Sequence, residues 1–174
     1  LDGLVGSEDV ILVGTPVFTF ASSNVGTGNT ITTKGYTLTG NDAANYDLIQ
    51  PTLSADIYQK ELTIINISGN NKVYDGNTNA SVSGTADLHG VIGLEDVSLG
   101  ENPVFTFDSA NVGPNIAIRT TYSLTGADAA NYTLTQPSLS ANITEKELTI
   151  TGLTGQDKVY DGNTNASVSG TADL

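Results

Sequence analysis

The sequence contains no cysteine, no methionine and no tryptophan, one histidine, and six lysine and arginine residues among 174. Without cysteine there is no disulfide, and with one histidine no Cys/His zinc site can be assembled. Six scattered cations against 19 acidic residues leave a net charge of −13. Such a balance excludes the clustered Lys/Arg surface that nucleic acid requires. The longest aliphatic run is residues 10–13, far below the roughly 20 residues of a membrane-spanning helix, so no membrane insertion is expected. Leu1 is neither an initiator nor part of a signal peptide, and we read the chain as a mature piece or an excerpt. Enzyme chemistry also lacks its parts. A nucleophile with its base, or two carboxylates split by their environments, is not recognisable. His89 reads as a surface-loop residue, and Glu8-Asp9 and Glu95-Asp96 read as solvated loop charges.

What is abundant is threonine (24), valine (13) and isoleucine (12), arranged in a repeat. Residues 72–88 (KVYDGNTNASVSGTADL) recur unchanged at 158–174. PVFTF at 16–20 recurs at 103–107, an offset of 87, and DAANY at 42–46 recurs at 128–132, an offset of 86. One extra residue therefore lies between Ile31 and Tyr36 of the earlier copy, and a bulge near Gly35 would restore its register. His89 has Asp2 as its counterpart. The phase of the repeat predicts three segments: 1–60, a module lacking its first strands; 61–146, a complete module; and 147–174, the first strands of a further one.

The patterning has period two. Ile116, Ile118, Thr120, Tyr122 and Leu124 fall on one strand face, and Ala80, Val82, Gly84, Ala86 and Leu88 on another. Phe105 with Phe107, Tyr132 with Leu134, and Leu139 with Ala141 and Ile143 behave likewise. These predict half-buried antiparallel strands with Thr/Ser outer faces, separated by turns at Asp75-Gly76-Asn77, Asn102-Pro103 and Gln136-Pro137. The expected fold is all-β: tandem immunoglobulin-like β-sandwich modules of about 87 residues arranged end to end. A β-grasp with a short helix at 126–131 is the alternative. Asp128-Ala-Ala-Asn-Tyr132-Thr-Leu134 resembles the Asp-x-Ala-x-Tyr-x-Cys run of immunoglobulin domains, with leucine in the cysteine position. That resemblance implies a tyrosine corner at Tyr132, its hydroxyl bonded to nearby backbone, with Asp128 beside it. Tyr46 and Asp42 repeat the arrangement.

Asp75-x-Asn77-x-Asn79 and Asp161-x-Asn163-x-Asn165 have the oxygen spacing that opens a calcium loop. Neither has a glutamate at the twelfth position or flanking helices. These residues are weighed as calcium candidates against ordinary turn formers, and no cofactor is expected. Five Asn-x-Ser/Thr sequons, at Asn66, Asn79, Asn131, Asn142 and Asn165, are no more than composition predicts. Lys72 and Lys146 read as solvated lysines.

Lys-Val-Tyr-Asp-Gly at 72–76 and 158–162, followed by the Asp-Ala-Ala-Asn-Tyr-Thr-Leu run, resembles the YDG/MBG-type repeats of large bacterial surface adhesins. The resemblance covers essentially the whole chain. It implies an extracellular or cell-surface, non-enzymatic stalk repeat, associated with adhesins and filaments, and no catalytic role to carry over. The expected partners are neighbouring copies of the chain, head to tail, through a junction that includes Tyr160, Val168, Leu174 and Leu1. A ligand-binding adhesive module for a glycan or protein receptor, calcium-dependent or not, is the alternative.

Overall fold

A computed structural model describes residues 1–174. The chain is all-β, with two single-turn 3-10 segments, Ala43–Asn45 and Ala129–Asn131. No helix is long and apolar enough to cross a membrane.

The early part of the chain forms β1 (Ile11–Val13), β2 (Val17–Phe20), β3 (Gly26–Lys34), β4 (Thr37–Thr39) and β5 (Thr52–Ile57). The middle part forms β6 (Lys60–Gly69), β7 (Lys72–Val73), β8 (Val82–His89), β9 (Ser98–Leu99), β10 (Phe105–Phe107), β11 (Gly113–Thr120), β12 (Leu124–Thr125), β13 (Tyr132–Thr135) and β14 (Leu139–Thr144). The chain ends in β15 (Thr151–Gln156) and β16 (Ser167–Asp173).

Equivalent strands pair in equivalent register. Phe20 opposes Ile31 as Phe107 opposes Ile118, Leu53 opposes Ile31 as Leu139 opposes Ile118, and Leu12 opposes Leu38 as Leu99 opposes Leu124. Both long strands also carry the same irregularity, between Gly26 and Asn29 and between Gly113 and Ile116. At that point the backbone turns left-handed, at Gly28 (φ 63°) and at Asn115 (φ 50°), a conformation that glycine and asparagine tolerate best. The extra residue of the early copy falls at Gly35, whose φ of 100° places it in the break between β3 and β4.

Two expectations are corrected. The alternation from Ile116 to Leu124 predicted one strand, but it breaks into β11 and β12, which lie in different sheets. The Gln136 side chain takes both backbone groups of Tyr122, accepting its N–H at 3.0 Å and donating to its carbonyl at 2.8 Å. A side chain thus supplies what a strand neighbour would, and the ladder stops there. Nor is the pairing all antiparallel. β13 runs parallel to β6, with Tyr132 opposite Lys60 and Leu134 opposite Leu62, and β14 runs parallel to β7.

The chain divides into two compact units, one of Leu1–Ile65, Asp87–Asn102 and Tyr122–Gln136, the other of Asn66–Ala86, Pro103–Thr121 and Pro137–Leu174. In the first, Leu62, Ile64, Tyr132 and the polar Thr33 are buried. In the second, Phe107, Ile118, Ala141 and Ile143 form the core, with Ala80, Phe105, Ile116 and Leu139 packed against it. The inward residues of β10, β11 and β14 are those the period-two pattern placed on one face.

Candidate functional site

Three constellations recur along the chain. The first is the loop after β7. Lys72 Nζ donates to Asp75 Oδ1 at 2.8 Å, to the Asn77 carbonyl at 2.7 Å, to Asn77 Oδ1 at 3.1 Å and to the Asn79 carbonyl at 3.0 Å. Its side chain is 17% exposed, and the ammonium stands 5.5 Å from the centre of the Phe107 ring. Backbone N–H groups of Asn77 and Asn79 donate back to Asp75 Oδ1 and Asn77 Oδ1, the Asx turns that give these residues their turn preference. Phe107 N–H donates to the Thr78 carbonyl, which ties the loop to β10.

The oxygens weighed as calcium ligands therefore converge on a lysine ammonium. Lys158 holds Asp161 and Asn163 in the same way, and Asn165 N–H caps Asn163 Oδ1. Lys72 is consequently not the solvated lysine expected from sequence. The ammonium, with the Asn77 N–H, holds the Asp75 carboxyl below the usual carboxylate range, and Lys158 does the same for Asp161.

The second constellation surrounds the two tyrosines. The Tyr132 hydroxyl donates to Glu95 and accepts the Ile92 N–H at 3.1 Å. Tyr46 donates to Glu8 and accepts the Val5 N–H at 3.1 Å. Each carboxylate pushes its phenol above the ordinary tyrosine range. The partners lie about 40 residues upstream, in the loop before β9 or β1, and not in the nearby turn that a tyrosine corner implies.

Asp128 does stand beside Tyr132 in sequence, and it works on the same loop. Its Oδ2 accepts the Asp96 N–H, while Asp96 Oδ2 accepts the Ala127 N–H and the Asp96 carbonyl accepts the Asp128 N–H. Asp42 and Asp9 form the same reciprocal clasp. Glu8-Asp9 and Glu95-Asp96 lie on loops, with Asp9 and Asp96 exposed and Glu8 and Glu95 half-buried, and they also act as structural partners there. The signal was present in the sequence: an acidic pair precedes each Asp-Ala-Ala-Asn-Tyr run, 34 residues before Asp42 and 33 before Asp128, the one-residue difference being the insertion of the early copy.

The third constellation is defined by what is left uncovered. Phe107 is 2% exposed and its counterpart Phe20 is 42%; Leu62 is fully buried and its counterpart Leu148 is 74% exposed. Leu62 packs against Gly90, where a side chain would meet its Cδ2. The equivalent place in the early copy, around Gly3, is a cleft of about 300 Å³ lined by Leu1, Leu4, Val10, Leu38, Tyr46 and Leu48. Residues 46–49 form no strand although residues 132–135 do. Tyr160, Val168, Leu174 and Leu1, the expected junction residues, are all exposed.

These recurring registers, clasps and loops define an all-β protein built from a repeated sequence. The chain belongs to the YDG domain family, which it matches over residues 1–55, 58–139 and 144–174. No curated protein and no solved structure shows significant similarity to it.

Proposed function

We propose that the chain is a non-enzymatic structural repeat of a bacterial extracellular surface protein or filament. Immunoglobulin-like sandwich modules of about 87 residues follow one another and make a semi-rigid rod. The observation that carries this reading is the identity of strand register between successive copies, down to the irregularity at Gly28 and Asn115. A chain that reproduces one pairing scheme at constant spacing adds length without adding new chemistry. Short connectors such as residues 58–59 leave little freedom between copies, and a net charge of −13 opposes lateral clumping.

The conspicuous acidic residues serve the clasps and the lysine loops, which supports a scaffold rather than a catalyst or a calcium-dependent adhesive module. A divalent cation entering the Asp75 loop would have to displace a like-charged ammonium. The test has two parts. Chains carrying one, two and three additional copies are imaged, with contour length expected to grow by one equal step per copy. Antibodies to the folded chain are expected to label intact cells of the source organism. Globular particles of irregular size, or labelling only after lysis, would overturn the reading.

A further inference from the structure

We infer that residues 60–144 form a mechanical clamp, in which two parallel strand pairs are sheared whenever the chain is pulled along its length. This deepens the rod reading, which supplies the direction of the load. The argument starts from the sense of each pairing and its place in the chain. Tension carried by the backbone enters at Lys60, the first residue of β6, and leaves past Thr144, the last residue of β14. β6 pairs with β13 and β14 pairs with β7, both in parallel. In each pair one strand is drawn toward its N-terminal end and the other toward its C-terminal end. Parallel strands pulled in that way slide along each other, and the evenly spaced bonds between them share the load. Antiparallel strands under the same pulls would be drawn apart from one end, one bond after another.

Both pairs are built to hold. In the first, Leu62 and Tyr132 are buried, and the Gln59 side chain extends the ladder by donating to the carbonyls of Ala130 and Tyr132 at 3.0 and 3.2 Å. In the second, Ile143 is buried. The short register of Ile143 with Lys72 and Thr144 with Val73 is lengthened on both sides. Tyr74 N–H donates to the Thr144 carbonyl at 2.8 Å, and Asn142 N–H donates to Asn71 Oδ1 at 2.8 Å. Buried side chains beside a ladder keep water from replacing its bonds as they stretch, and in those drier surroundings each bond is stronger. One pair lies in each compact unit, so neither unit is left to carry tension without a sheared ladder.

The absence of cysteine in the chain allows the direction of pull to be chosen. Tyr58, Ala130 and Glu145 are exposed and accept handles at their positions. In the full-length Tyr58→Cys/Glu145→Cys chain, handles load both pairs in shear. In the full-length Tyr58→Cys/Ala130→Cys chain, they separate the N-terminal ends of β6 and β13 and peel the first pair open. Each chain is stretched at one speed in an atomic force microscope, where rupture reports the barrier to forced unfolding. We expect the shear geometry to rupture at a force at least twofold higher than the peeling geometry. Asn71→Ala, which removes the acceptor of the Asn142 N–H, is expected to lower the shear force and to leave the peeling force unchanged. Equal forces in the two geometries, or an equal loss in both with Asn71→Ala, would overturn the clamp. Equal length steps in the tandem chains would still stand in that case, whereas irregular steps beside a twofold force ratio would overturn the rod alone.

Discussion

At Lys72 one ammonium holds together a loop that would otherwise crowd several oxygens without a cation. Hydrogen bonds to a charged group contribute on the order of 1.5–3 kcal/mol when fully counted, less where water competes. Lys72→Met is expected to lower stability in urea melts by about 1–2 kcal/mol. Lys158→Met, in an exposed copy of the loop, is expected to stay within about 0.5 kcal/mol of the parent. The pH dependence follows from the directions of the shifts. Asp75 has a folded value below its ordinary 3.8, so its contribution is complete above that value and is lost as pH falls through the folded value. Acid melts of Lys72→Met should show a shallower decline there. Tyr132 is shifted the other way, above 10.0. Its contribution is present below that value and is lost as pH rises through the folded one, and Tyr132→Phe should remove this alkaline limb. Asn115, at φ 50°, offers a backbone test. Asn115→Gly should be nearly neutral, as Gly28 already illustrates, whereas Asn115→Ala should cost about 1 kcal/mol in the same melts.

At the scale of elements, identical side chains meet opposite fates according to whether a partner strand is present. Leu62→Ala should cost about 2–5 kcal/mol, because Leu62 is fully buried. Leu148→Ala, at a side chain that is 74% exposed, should leave the melting of the same chain unchanged. This contrast also shows what was legible beforehand. β8, β10, β13 and β14 were readable because a half-buried strand writes its alternation directly into the sequence. The 3-10 segment at Ala129–Asn131 fell within the one stretch credited with helical character. The division of β11 from β12 was not readable, because the side chain that ends the ladder, Gln136, lies 14 residues away from Tyr122. The parallel pairings were hidden for the same reason: β13 and β6 are separated by more than sixty residues, and nothing local marks them as neighbours. The lysine loop was half visible. Its Asp-x-Asn-x-Asn spacing reads as a turn or as an oxygen cluster, and the turn is there, but the ammonium that gathers those oxygens stands three residues earlier, outside the pattern that was read.

For the whole molecule, a net charge of −13 opposes side-by-side packing of chains. The screening length falls from about 30 Å at 0.01 M salt to about 3 Å at 1 M. Light scattering should therefore show more side-by-side clumping as sodium chloride rises, because the mutual repulsion of the acidic chains is screened. The repeat itself was the most legible property of all, because duplication leaves its offset in the residues whatever the fold. Its consequence reaches back to the loop at Lys72. A protein that carries its own counterion on a tether has no need to gather one from its surroundings, so hard water, soft water and chelators should leave that turn equally well set.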